Sequence, residues 1–249
     1  MIDVGQGDSI LISYRNKYTL IDTGGRTKTY NTEFNKDDYS IVENTTIPVL
    51  KSLGITKINN LIITHGDNDH MGEATNLVIN YNVDKVIFNC GDYDDLEREL
   101  IDVLNKKNIK YYSCIDRLDN LVFLSTIEYD NENDNSNVIY TEINNYKFLF
   151  MGDAGITKEK DIINKYNLSN IDVLKVGHHG SSTSSSKEFI DEINPNYSII
   201  SVGKNNRYGH PNKEVLDNLE NSKIYRTDQN GSIMFKIKNN KLKIETCSP

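Results

Sequence analysis

Four times along this chain a short apolar run stops at a cluster of acids or imidazoles. Tyr18 to Ile21 ends at Asp22, and Leu61 to Ile63 leads to His65, Asp67, Asp69 and His70. Phe148 to Met151 leads to Asp153, and Leu174 to Val176 leads to His178 and His179. Strand ends on one edge of a sheet share a single rim, so these groups can converge, and a convergent polar rim is a site. The five histidines sharpen the point. All fall in Thr64-His-Gly-Asp-Asn-Asp-His70, in His178-His179 or in Tyr208-Gly-His-Pro211. Histidine is the commonest metal ligand and the usual near-neutral proton carrier. The stretch from His65 to His70 is too crowded with charge for a dry core and too tight for one helical face; a cation is the natural remedy.

With 249 residues, 37% of them hydrophobic and 26% charged, the chain can bury a sizeable core, and residues 1–249 read as a single domain. No apolar run reaches membrane-span length, and the N-terminus lacks a secretory signal pattern. The chain as given is expected to be soluble and cytoplasmic. Cys90, Cys114 and Cys247 are far apart, odd in number and without C-x-x-C spacing. They read as structural thiols of a reducing compartment. A net charge of −8 excludes a broad basic footprint for coating nucleic acid. It leaves room for a hydrolase that touches a phosphodiester briefly, with bound cations and a local patch supplying the positive field.

Apolar periodicity predicts two strands around the glycine-rich turn of residues 2–13, then strands over 18–22, 60–64, 85–88, 108–112, 121–129, 137–143, 146–151, 172–176, 197–202, 224–226, 232–237 and 242–246. Helices are predicted over 45–53, 72–80, 94–106, 156–166, 186–193 and 213–219. Residues 26–43 are polar and aperiodic and read as a long surface loop near the site. The cluster from His65 to His70 then sits on a strand-to-helix loop. Early and late strand runs with interleaved helices point to two mixed sheets packed face to face with helices outside.

The segments Asp22-Thr-Gly-Gly25, Thr64-His-Gly-Asp-Asn-Asp-His70, Gly152-Asp153 and Val176-Gly-His-His-Gly-Ser181 resemble, in order and interval, the metal motifs of the metallo-β-lactamase superfamily. Asp3-Val-Gly-Gln-Gly-Asp8, Ser181-Ser-Thr-Ser184, Tyr208-Gly-His-Pro211 and Arg226-Thr-Asp228 narrow the likeness to the hydrolase domain of the ComEC competence proteins of DNA uptake and its stand-alone relatives. The resemblance implies an α/β fold, a four-layer αβ/βα sandwich, with two divalent metal ions between the sheet edges. It implies His65 and Asp67 on the first ion, Asp69 and His70 on the second, Asp153 bridging, and His178 or His179 completing the set. Asp22 is then a carboxylate that orients a ligand histidine through its other ring nitrogen. Within a membrane competence protein such a domain is extracytoplasmic.

Asp67 stands where the family commonly has a second histidine, and the histidine usual ahead of the Gly-Asp strand is missing; Asn133 or Asn135 lies near that place. An oxygen-rich ligand set favours manganese over zinc. By the same likeness the reaction is hydrolysis of a phosphodiester by a metal-activated water, with single-stranded DNA the first candidate substrate. Asp69 orients the water, while His210 and the unliganded member of His178 and His179 hold a phosphate oxygen or protonate the leaving group. Ser181 and Ser182, with Gly180 and Thr183, form an anion seat before the helix near Ser186. The glycine turn of residues 3–8 reads as architectural, with Asp8 capping it. Lys175, Lys204, Arg207 and Arg226 are usually solvated types that can add local positive charge. The alternatives are a small-molecule phosphodiesterase, such as a phosphorylcholine esterase, and a metal-binding accessory module without turnover. The residues name no protein partner.

Overall fold

A computed structural model of the chain describes residues 1–26 and 39–247. One sheet holds β1 (Ile10–Tyr14), β2 (Lys17–Ile21), β3 (Asn60–Ile62), β4 (Lys85–Phe88) and β5 (Lys110–Ser113), side by side in that order. The β1–β2 pair is an antiparallel hairpin and β2 to β5 run parallel. The second sheet holds β6 (Arg117–Leu118), β7 (Leu121–Leu124), β8 (Val138–Ile143), β9 (Tyr146–Phe150), β10 (Val173–Lys175), β11 (Tyr197–Ile200) and β12 (Lys223–Arg226), again in sequence order. It is antiparallel up to β9 and parallel from β9 to β12. A separate hairpin, β13 (Ser232–Lys238) and β14 (Lys241–Cys247), reaches back to the N-terminus, where Ile233 N–H donates to Met1 O.

The period of two along each strand explains the layering. Ile21, Ile62 and Ile87 point from the first sheet toward Phe123, Ile139, Phe148, Phe150 and Val173 of the second, and these residues form the core between the sheets. Their neighbours Leu20, Leu61, Val86 and Phe88 face outward onto α1 (Ile47–Ser52), α3 (Ala74–Asn80) and α4 (Asp95–Lys107). On the far side Val138, Leu149 and Leu174 pack on α5 (Ile156–Lys165), α6 (Lys187–Ile193) and α7 (Lys213–Asn218). Strands covered on both faces read as unbroken apolar runs, which is why the parallel ones were legible. Each such side chain contributes about 1.5–3 kcal/mol on burial. The result is the four-layer α/β sandwich that the sequence implies.

Several local expectations need correction. Residues 2–9 form no strand; Ile2 N–H bonds Ser9 O across a turn instead. Of the loop expected over 26–43, residues 27–38 lie outside the described residues, while Ile41 and Val42 are buried and begin a helical segment with a π turn at Val42–Thr46 leading into α1. The strand expected to reach 129 stops at Leu124, because Ser125 takes a positive φ of 50°. The short α2 (Asn68–Met71) and α8 (Thr227–Asn230), and strand β6, carry too few residues to show a period. The largest correction concerns the thiols: Cys90 and Cys114 form a disulfide, Cα atoms 4.5 Å apart. The parallel pairing of Phe88 with Ser113 brings both cysteines to the same strand ends, a neighbourhood invisible at a sequence separation of 24.

Candidate metal centre

The strand ends of β3, β9 and β10 bring His65, Asp67, Asp69, His70, Asp153, His178 and His179 to one rim, with Asp22 beside them at the end of β2. Asp67 stands immediately before α2, which sets Asp69 and His70 on a single helical turn, so the cluster is not purely a loop. The buried His65 and His70 rings lie 4.2 Å apart, and His179 is 5.3 Å from His70. Asp153 lies among them. Its Oδ1 is 3.1 Å from His70 Nε2, and its Oδ2 is 3.6 Å from His179 Nε2 and 3.8 Å from His178 Nε2. Asp69 Oδ2 is 3.2 Å from His179 Nε2, and Asp67 Oδ2 is 3.5 Å from His65 Nε2.

Four buried atoms here, the Nε2 of His65, His70 and His179 and Asp153 Oδ1, have no hydrogen-bond partner among the described residues. An unsatisfied buried polar atom costs ~1–3 kcal/mol, so their convergence requires a shared partner. Three triads among the described residues have ligand atoms within 4.8 Å of one another: His65 with His70 and Asp153, Asp69 with His70 and His179, and, behind the ring of His70, Asp8 with Asp22 and His70. The donor set therefore fits divalent cations.

The surroundings aim these atoms inward. Asp22 Oδ1 accepts from Thr64 N–H at 2.8 Å, and its Oδ2 accepts from the Thr64 hydroxyl at 2.6 Å and from His70 Nδ1–H at 2.8 Å. His179 Nδ1–H donates to Ser201 O at 2.8 Å. Both rings are thereby fixed in the tautomer that leaves Nε2 free. Ser136 Oγ accepts from Asp153 N–H at 3.0 Å and lies 3.4 Å from His65 Nδ1. The Gly177–Gly180 turn holds His178 and His179 at positive φ of 47° and 53°, which throws His179 inward and His178 to the mouth. A Cβ on Gly180 would fall 2.6 Å from Pro211 Cβ, so only glycine closes this turn.

Burial alone would neutralise the centre, and the neighbouring charges prevent it. Burial pushes His70 down, but Asp153 and Asp22 outweigh it and hold the imidazole well above its ordinary value. Burial pushes Asp153 up, yet His70 and His179 hold it well below the usual carboxylate range. Burial likewise opposes Asp69, and the nearby His179 and His70 outweigh it and lower the carboxyl. Ligand groups shed their protons to take up a metal, so metal binding here is expected to release protons. His178 differs: burial lowers it despite Asp153. Burial, with His178 and His179 nearby, lowers His210.

Three expected participants are placed elsewhere. Asn135 is tied to its own loop, accepting from Tyr129 N–H at 2.7 Å and donating to Tyr129 O. Ser181 bonds Thr183 Oγ1 at 3.0 Å, and Ser182 faces solvent. The anion seat before α6 is already taken: the Glu159 carboxylate accepts from Ser185 N–H and Ser186 N–H. His210 stands at the mouth, its ring 6.0 Å from His178 and stacked on Tyr208. Lys175, of a usually solvated type, is completely buried and paired with Asp8, while Asp3 rather than Asp8 caps the glycine turn by accepting from Gly5 N–H. Arg226 is paired with Asp228. Thr64, Ser136 and Ser201 join the centre without having been expected from the sequence. Thr64 adjoins His65 and was available as a hydroxyl at the strand end; the two serines carry no signal. Beside Asp67 and Asp69 a cleft of about 730 Å³ opens, with Arg26, Arg207 and Tyr208 on its walls.

Residues 2–204 match the model of the metallo-beta-lactamase superfamily, and the chain belongs to that family. It is 34% identical to ComE operon protein 3 of Bacillus subtilis over 96% of this chain and 33% of that protein. It is 27% identical to competence protein ComA of Neisseria gonorrhoeae, over 94% of this chain and 31% of that one. The chain thus spans about a third of the length of these relatives. Among solved structures, the metallo-beta-lactamase fold protein YhfI from Bacillus subtilis superposes with a TM-score of 0.56 at 10% identity, covering 88% of each chain, a likeness of fold alone. Among the described residues no helix is long and apolar enough to cross a membrane.

Proposed function

We propose that this chain is a phosphodiesterase that uses two divalent ions, manganese ahead of zinc, and cuts single-stranded DNA. The observation that carries the reading is the set of buried ligand atoms on His65, His70, Asp153 and His179 that have no hydrogen-bond partner among the described residues and fall in two adjoining triads sharing His70. His65, Asp67 and Asp153 would hold one ion, and Asp69, His70 and His179 the other, with Asp153 lying beside both sets. Bound there, the ions supply a water that deprotonates near neutral pH and positive charge for the phosphoryl oxygens. Three carboxylates in the set favour manganese.

The protein's own groups do the rest. His178 Nδ1 lies 3.1 Å from Thr183 Oγ1, so a Thr183 hydroxyl donating there leaves Nε2–H aimed at the centre, where it can donate a hydrogen bond to a phosphate oxygen. His210, its basicity lowered by burial, flanks it at the mouth. Arg26 and Arg207 put positive charge beside a cleft wide enough for a nucleotide. Likeness to a competence protein supports DNA over a small ester. The Cys90–Cys114 disulfide favours work in an oxidising compartment.

The test is nucleotide release from single-stranded DNA, and release from a chromogenic phosphodiester, by protein stripped with EDTA and reloaded with manganese or zinc. Manganese-dependent cutting of DNA is expected. Turnover of the small ester alone supports the small-molecule reading, and metal binding without turnover of either supports an accessory module.

A further inference from the structure

Lys175 is the last residue of β10, three positions before His178, and none of its surface reaches solvent. It follows Val173 in the period-two pattern that faces the inter-sheet core, at the point where that core meets the metal centre. Burying an ammonium and a carboxylate there costs several kcal/mol, and a buried pair is often replaceable by apolar side chains without loss of stability. Stability is therefore a weak reason for the Asp8–Lys175 pair, and its contacts supply a better one.

The Lys175 ammonium pairs with Asp8 Oδ2, donates to Gly152 O at 2.9 Å and stands 3.8 Å from Asp153 Oδ1. Gly152 O also accepts from His178 N–H at 3.1 Å, so one carbonyl ties the Asp153 turn to the histidine turn. Asp8 N–H donates to Asp69 O at 3.2 Å, and Gly7 O accepts from Ser201 Oγ at 2.6 Å, while Ser201 O receives the His179 ring N–H. The pair thus joins the backbones that carry Asp69, Asp153, His178 and His179. It also balances charge: Asp8, Asp22, Asp67, Asp69 and Asp153 are matched by Lys175 together with two divalent ions.

Resting on the metal-centre reading above, we propose that Lys175, pinned by Asp8, is a positioning residue that cross-links three ligand-bearing segments and sets the spacing of the two ions. The test is Asp8→Asn/Lys175→Met, which removes one charge of each sign and so leaves the net charge of the centre unchanged. Calorimetry without substrate should show manganese affinity at one of the two positions falling roughly tenfold or more, as expected when a partner behind a ligand is lost. Electron paramagnetic resonance should show isolated manganese in place of a spin-coupled pair, while the melting temperature in EDTA stays close to that of the native chain. Should the double variant fail to fold, the isosteric Asp8→Asn must show the same affinity loss in smaller measure. Wild-type affinity and an intact coupled signal in either folded variant overturn the proposal. Failure of the unaltered chain to bind two ions overturns the metal-centre reading instead.

Discussion

His70 gathers more of the centre than any other side chain, with Nδ1 on Asp22 and Nε2 facing Asp153. His70→Ala is expected to lower kcat about a thousandfold, roughly 4 kcal/mol of barrier, with the circular dichroism of the folded chain retained; turnover within tenfold of native contradicts its role. Glu97 offers a cleaner pH test because it lies outside the centre. One oxygen accepts from Asp94 N–H at 2.9 Å, the other is buried without a hydrogen-bond partner among the described residues, and burial lifts the carboxyl to about 7. A folded value above the unfolded one favours the protonated form, so this contribution is complete below pH ~4.5 and is lost as pH rises toward 7. Urea midpoints of Glu97→Gln against the native chain should therefore converge at pH 5 and separate in favour of the variant at pH 8. At this scale the sequence was most legible where identity is chemistry: His65, Asp69, His70 and Asp153 meet as their types suggested. Ser136 and Lys175 were illegible because a serine in a polar stretch and a lysine on a strand declare nothing until the partners they face are known.

Elements set how close these residues come. Gly7 packs so tightly under α2 that a Cβ would fall 2.1 Å from Asp69 O, and its φ is 130°. Gly7→Ala should cost about 1–3 kcal/mol in backbone strain and displace Asp69, seen as weaker manganese binding by calorimetry; native affinity would show that the turn plays no part. The disulfide clips the ends of β4 and β5, closing a loop of sequence separation 24. Cys90→Ser/Cys114→Ser should lose about 3 kcal/mol in denaturant unfolding by loop closure alone. Parallel strands announced themselves through apolar runs, whereas α2 and the Cys90–Cys114 bridge did not. A four-residue helix has no readable period, and a bridge between neighbouring strands needs the strand order first.

At the scale of the whole molecule, two sheets pack through Ile21, Ile62, Phe148 and Phe150, and the core gives way to charge only where the strands end. That arrangement was legible because Asp22, the stretch from His65 to His70, Asp153 and the His178-His179 pair each follow an apolar run, so fold and site shared one signal. The fold accounts for the placement of the rim, and the central claim is that the rim holds a pair of ions. Anomalous diffraction at the manganese edge, from crystals grown with manganese, measures this directly. Two peaks about 3.5–4 Å apart are expected, one beside His65 and Asp67, the other beside Asp69 and His179, with Asp153 between. A single peak away from these residues, or none, contradicts it.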